Sequence, residues 1–180
     1  MKETAPPLEG ETPELATDSA SAPGEPIVIP KGVYWIFTAL GGSKTISMAT
    51  IAYANRVFNV NLWSESADLQ STWEVDTYYN NTGLYTIKNG KDNALALAKH
   101  KDNNNIITEP SPPFGPLSDD RNIWSFKDAG DGFVYIVSFA NPQSVMEVVE
   151  ANTVDGTHIS LHPVHGATHQ KFRMIKIRNL

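Results

Sequence analysis

From Gly32 to the C-terminus, short runs of alternating apolar and polar residues recur, and turn-forming clusters separate them. Val33-Tyr34-Trp35-Ile36-Phe37 opens the series after Pro30-Lys31-Gly32. Gly83-Leu84-Tyr85-Thr86-Ile87 and Gly132-Phe133-Val134-Tyr135-Ile136 begin in the same way. Between these openings lie inner runs with period-two patterning: Thr45-Ile46-Ser47-Met48, Val57-Phe58-Asn59-Val60-Asn61-Leu62-Trp63, Ala94-Leu95-Ala96-Leu97-Ala98 and Ser144-Val145-Met146-Glu147-Val148. Gly41-Gly42, Lys88-Asn89-Gly90 and Asp155-Gly156 punctuate them. Runs of this length, rich in β-branched and aromatic residues and bounded by Gly, Asn and Asp, predict β-strands. No stretch sustains a 3.6-residue period, so no long helix is expected.

Two sets of aromatic residues return at one interval. Tyr34, Tyr85 and Tyr135 are spaced by 51 and 50 residues, and Trp73, Trp124 and Phe172 by 51 and 48. Two markers in phase predict three copies of one unit, with approximate boundaries at residues 31–82, 83–131 and 132–180. Four short strands per unit, with turns between them, predict a closed all-β architecture with a shared interior.

Residues 1–30 differ in texture. They hold six of the twelve prolines, no aromatic residue, six acidic residues and one basic residue. Such a segment buries too little apolar surface to offset its ordering entropy, so a disordered N-terminal tail is expected there, either a tether or a plain solvated extension. The remaining chain carries fourteen acidic and thirteen basic residues. A near-neutral domain offers no electrostatic footprint for a phosphate backbone, so nucleic acid is not an expected partner. Cysteine is absent, which excludes disulfides, thiolate chemistry and Cys-type zinc sites. No apolar run reaches the roughly eighteen residues of a membrane span. The first residues lack the apolar stretch of a signal peptide, leaving a cytoplasmic protein or a processed secreted one as alternatives.

Three units that open on an aromatic strand and close on Gln-x-aromatic resemble the ricin B-type β-trefoil lectins. The closing motif is clearest in His169-Gln170-Lys171-Phe172-Arg173-Met174. Asn122-Ile123-Trp124 is a degenerate version, and Gln70-Ser71-Thr72-Trp73 carries one extra residue. The resemblance covers residues 31–180 and implies a β-trefoil. It also implies that each unit can hold a shallow sugar site: an acid after the first inner strand, an aromatic farther along, and an Asn before the closing Gln. The chemistry suits a sugar, because a carboxylate accepts hydrogen bonds from neighbouring hydroxyls while a ring stacks on the apolar face of the pyranose.

In the third unit the resemblance places Glu147 at the acid, His162, fifteen residues on, at the aromatic, and His169 with Gln170 at the polar pair. The first unit lacks the acid at Ser47 but keeps an aromatic, Trp63, which would need other partners such as Glu65 or Asp68. The second unit has no acid in Leu95-Ala96-Leu97, and a Pro-rich insertion, Glu109 to Leu117, replaces its aromatic region. A carbohydrate-binding, lectin-like module is therefore expected, alone or as the targeting component of a toxin-like assembly. Its expected partners are glycans, with galactose-type sugars the first to try. The alternative is a protein-interaction or protease-inhibitor trefoil acting through the stiff loop of Pro112, Pro113 and Phe114 on a protein partner.

Four of the five histidines, His158, His162, His165 and His169, lie within twelve residues. Imidazoles suit zinc, copper or nickel. Residues four apart on one strand face are separated by about 13 Å, however, so no metal and no cofactor is expected, although a hairpin could bring His162 near His169. A pH-responsive surface is the milder reading. Asn80-Asn81-Thr82 reads as a glycosylation sequon or simply a turn. No nucleophile elbow, phosphate-cradling loop or paired-carboxylate signature is present, so no enzyme is expected.

Overall fold

The computed structural model of the chain describes residues 24–78, 83–111 and 120–180. The sequon at residues 80–82 and the loop of Pro112, Pro113 and Phe114 lie outside the described residues, as do residues 1–23.

Twelve strands follow in three sets of four. The first set is β1 (Gly32–Thr38), β2 (Lys44–Met48), β3 (Phe58–Ser64) and β4 (Thr72–Thr77). The second is β5 (Tyr85–Asn89), β6 (Leu95–Lys99), β7 (Ile106–Pro110) and β8 (Trp124–Gly130). The third is β9 (Phe133–Ser138), β10 (Ser144–Val148), β11 (Ile159–Pro163) and β12 (Phe172–Arg178). A single 3₁₀ turn precedes the last strand of each set: Leu69–Ser71, Asp120–Asn122 and Thr168–Gln170.

The first and last strands of each set close a six-stranded antiparallel barrel. β1 pairs with β4, β4 with β5, β5 with β8, β8 with β9, β9 with β12, and β12 returns to β1. The inner strands form three hairpins, β2–β3, β6–β7 and β10–β11, which cap one end. The caps join where β3 pairs with β7 and where single bridges link Asn61 to His158 and Asn105 to Ser160. This is the expected β-trefoil. Barrel closure leaves no ring strand with a free edge, which answers the aggregation hazard of an open sheet.

Five of the six repeating aromatics sit in the shared core, while Tyr135 belongs to a smaller cluster with Val137, Val145 and Val164. Trp73, Trp124 and Phe172 have no solvent exposure and belong to one apolar core with Ile36, Ile87, Ile136 and the Tyr34 and Tyr85 rings. Both indoles make the same bond. Trp73 Nε1 donates to the Ile46 carbonyl at 3.0 Å, and Trp124 Nε1 donates to the Leu97 carbonyl at 2.9 Å. Ile46 and Leu97 occupy the third position of β2 and β6, so the closing strand of each of these units is fastened to the centre of its own hairpin.

The ordered domain starts earlier than residue 31. The Ile27 amide donates to the Phe126 carbonyl at 3.0 Å, and the Asp128 amide donates to the Glu25 carbonyl at 2.9 Å. Ile29 is buried in the core, and its amide donates to the Tyr85 hydroxyl at 3.0 Å. Gly24 runs against β8 so closely that an added methyl group would overlap the Asp128 carbonyl. Residues 24–30 therefore belong to the domain and not to a disordered tail. The physical reason is a strand-like alternation: Ile27 packs on the core, Val28 points out, and Ile29 points in.

Candidate functional site

The hairpin registers define three equivalent positions. Thr45 pairs with Trp63 in the first unit, Ala96 with Glu109 in the second and Val145 with His162 in the third. Trp63, Glu109 and His162 thus occupy one position of the repeat. Two residues farther along the first strand of each hairpin stand Ser47, Ala98 and Glu147. Across from them, the 3₁₀ turns supply Gln70 and Ser71, Arg121 and Asn122, and His169 and Gln170. One scaffold thereby presents three different sets of side chains.

In the third unit, four groups converge on the Glu147 carboxylate. The side chain is only 10% exposed. Its Oε2 lies 3.4 Å from His169 Nε2, 3.8 Å from His165 Nε2 and 3.8 Å from His162 Nδ1. Gln170, fully buried, donates Nε2–H to the same oxygen at 3.1 Å and to the Pro163 carbonyl at 3.0 Å. Its Oε1 accepts the backbone N–H groups of His165 at 2.9 Å and Gly166 at 3.2 Å. Gly166 has φ of 83°, a left-handed turn that a glycine adopts without steric cost, and the turn aims these two successive amides at one oxygen. Gln170 therefore ties the His165 loop to Glu147. The imidazoles also meet each other: the His165 ring centroid is 5.4 Å from that of His162 and 5.2 Å from that of His169.

These imidazoles are not spread along one strand. His162 is near the end of β11, His165 is in the following loop, and His169 is in the 3₁₀ turn. The expected separation of about 13 Å applies to a straight strand and fails here because the chain reverses around Gly166. His158 stands apart, its backbone bridged to Asn61. His165 is the member that sequence reasoning left out of the site. Four histidines within twelve residues, broken by Pro163 and Gly166, were the available signal.

In the first unit the same position is open. Ser71 Oγ donates to Ser47 Oγ at 3.2 Å where the third unit has Gln170 and Glu147. Short side chains leave a cavity of about 430 Å³ lined by Ser47, Met48, Ile51, Trp63, Ser66, Asp68, Gln70 and Ser71, among others. Trp63, 42% exposed, walls one side. Asp68 lines this cavity, whereas Glu65 does not and lies exposed. The neighbouring Ser64 is held from the third unit. Asp155 accepts its backbone N–H at 2.7 Å and pairs with Lys44 Nζ at 2.6 Å. The Lys44 hydrogen bond, with help from Ser64, holds the Asp155 carboxyl below its ordinary range.

In the second unit the position is closed. Glu109 Oε1 pairs with Arg121 Nη2 at 2.8 Å, and Arg121 Nη1 donates to the Lys99 carbonyl at 3.0 Å. Ala98 lies where the acid would stand. Glu109 and Pro110, expected at the start of a loop insertion, instead complete β7.

Residues 69–162, just over half of the chain, match the family model described as ricin-type beta-trefoil lectin domain-like. No curated protein matches the sequence. Among solved structures, the Rhizoctonia solani agglutinin is similar with TM-score 0.68 and 15% identity over 84% of this chain and 99% of its own. The C-half of an earthworm R-type lectin, in complex with GalNAc, gives TM-score 0.60 and 19% identity over 82% of this chain and 100% of its own. A mosquitocidal holotoxin gives TM-score 0.74 and 14% identity over 84% of this chain, which spans only 18% of the toxin chain.

Proposed function

The chain belongs to the ricin-type β-trefoil lectin-like family, and from that membership we propose that it is a non-enzymatic carbohydrate-binding module whose main sugar groove is the first-unit cavity. The observation that carries this reading is the half-exposed indole of Trp63 beside a cavity of about 430 Å³. An indole face stacks on the apolar face of a pyranose. Asp68 accepts hydrogen bonds from sugar hydroxyls, while Gln70, Ser47, Ser66 and Ser71 supply further donors and acceptors around the rim. The groove keeps the platform of the family pattern and takes its acid from Asp68, in the segment before the 3₁₀ turn.

Glu147, His162, His169 and Gln170 rank second as sugar contacts. The carboxylate that should meet vicinal hydroxyls lies beneath three imidazoles and already accepts the Gln170 amide. Among the described residues, the equivalent position of the second unit is filled, because Arg121 and Glu109 satisfy one another. A module with one good groove binds a single sugar weakly and gains strength on clustered glycans. The likeness to part of a holotoxin supports a further role as the targeting component of a toxin-like assembly. The GalNAc bound to the earthworm lectin supports starting with galactose-type sugars.

A glycan array followed by calorimetry tests the reading. The chain should bind glycans with terminal galactose-type sugars, and Trp63→Ala should weaken binding about tenfold or more, since loss of stacking plus apolar contact exceeds about 1.4 kcal/mol. Silence across the array, or unchanged binding by the variant, overturns it.

A further inference from the structure

A buried carboxylate ringed by imidazoles needs a cation to balance it, because an ionised acid out of water is costly unless it is paired. The spacing around Glu147 shows which kind of cation fits. Charge-assisted hydrogen bonds between nitrogen and carboxylate run at about 2.7–2.9 Å. The imidazole nitrogens stand farther off, at 3.4 Å for His169 and 3.8 Å for His165 and His162. In a tetrahedral zinc site with bonds of about 2.0–2.2 Å, the ligand atoms sit roughly 3.3–3.6 Å from one another, the edge of the tetrahedron. The Glu147–His169 distance falls in that range, and the other two exceed it by a few tenths of an ångström. The ligand atoms of Glu147, His165 and His169 all lie within 4.8 Å of one another.

We propose that Glu147 Oε2, His165 Nε2 and His169 Nε2 form a binding site for a zinc-class divalent cation, with water completing the coordination. The donor set decides the metal class. Imidazole nitrogens with one carboxylate suit Zn²⁺, and also Cu²⁺ and Ni²⁺, whereas Ca²⁺ and Mg²⁺ prefer all-oxygen surroundings.

The site is supported from behind as metal sites are. Gln170 bonds the ligating carboxylate on one side and the loop carrying His165 on the other, fixing two ligands relative to each other through one buried amide. Glu147 sits on β10 and His169 in the 3₁₀ turn, so the barrel and its cap set the distance between these ligands before a metal arrives. His162 remains half-exposed at the rim, with Nδ1 also 3.2 Å from the Pro163 carbonyl. This site lies in the third unit and does not rest on the sugar groove around Trp63.

Isothermal titration of the full, chelator-treated chain with Zn²⁺ tests the proposal, with Co²⁺ absorption as a second readout. One ion should bind per chain, and Co²⁺ should give the visible bands of a tetrahedral nitrogen–oxygen site. His165→Ala and His169→Ala place no new group in the core, and each should weaken binding about a hundredfold or more, since even loss of a supporting residue costs about 10–100-fold. Glycan binding by His165→Ala, a residue outside the proposed sugar contacts, should match that of the parent, which separates failure here from failure of the lectin reading. Absence of binding by the parent chain overturns the proposal. So does a double variant, His165→Ala with His169→Ala, that binds Zn²⁺ as tightly as the parent.

Discussion

Replacing Gln170 isolates what one buried amide does for the third unit. Gln170 is fully buried and makes four hydrogen bonds, two donated and two accepted. Gln170→Ala removes all four. The amides of His165 and Gly166 and the Pro163 carbonyl lie near the surface, so water recovers much of their loss, whereas the Glu147 carboxylate is nine-tenths buried and recovers little. With about 1–3 kcal/mol for each group left unsatisfied in the interior, and a cavity added, the expected cost is about 2–4 kcal/mol. For a domain of this size that lowers Tm by roughly 4–16 °C. Gln170→Glu sharpens the test. The glutamate keeps the shape and still accepts from His165 and Gly166, but it faces the Glu147 oxygen where an N–H group donated across 3.1 Å. Two carboxylates so close in the interior repel each other. This variant should therefore be less stable than the parent at neutral pH. Urea denaturation with chelator present reads both effects without a contribution from bound metal. A Gln170→Ala variant within about 0.5 kcal/mol of the parent, or a Gln170→Glu variant equally stable at pH 7, would falsify this account of the amide.

Two further outcomes follow from the core and the cap. Trp124→Phe leaves the buried Leu97 carbonyl without its indole donor and should cost about 1–3 kcal/mol or more in urea denaturation, whereas a change below about 0.5 kcal/mol would show that this bond is not a fastening of the fold. Asp155 titrates below its ordinary value of 3.8, chiefly through the Lys44 hydrogen bond, so its contribution is present above that value and disappears as pH falls through the lower folded value. The advantage of the parent over Asp155→Asn should accordingly be seen at about pH 5 and shrink towards about pH 3, and a gap that widens on acidification would reverse the sign of the linkage.

The threefold architecture was legible because its markers are large side chains with no freedom of position. An indole at Trp73 or Trp124 fits only at the shared centre, and the 51-residue step between them is the step between units. The sites were harder to read, since their members are small or lie in irregular segments. Ser47 and Ser71 make the first-unit groove by being short, and no motif marks an absence of bulk. Glu109 was hidden because prolines follow it, although the β6–β7 register sets it opposite Ala96 in the position of Trp63. His165 was set aside by a distance that holds for extended chain and not for a reversal around glycine. At residues 24–30, the acidic, Pro-rich surroundings concealed two isoleucines, Ile27 and Ile29, that both turn to the core on either side of the exposed Val28.

One position of the repeat, occupied by Trp63, Glu109 and His162, shows how a symmetric scaffold comes to carry unlike chemistry. The backbone presents all three side chains from the same register, so their different behaviour comes from the pair of residues each one faces. Trp63 faces two serines that fill little space, and its ring keeps an accessible face. Glu109 faces Ala98 and Arg121, and the guanidinium takes its charge within the protein. His162 faces a carboxylate flanked by two more imidazoles, a combination that favours a cation over a neutral sugar. In the second unit the ion pair satisfies both charges within the protein. At Trp63, short serines leave a cavity instead, and on the proposed lectin reading that cavity receives the sugar hydroxyls.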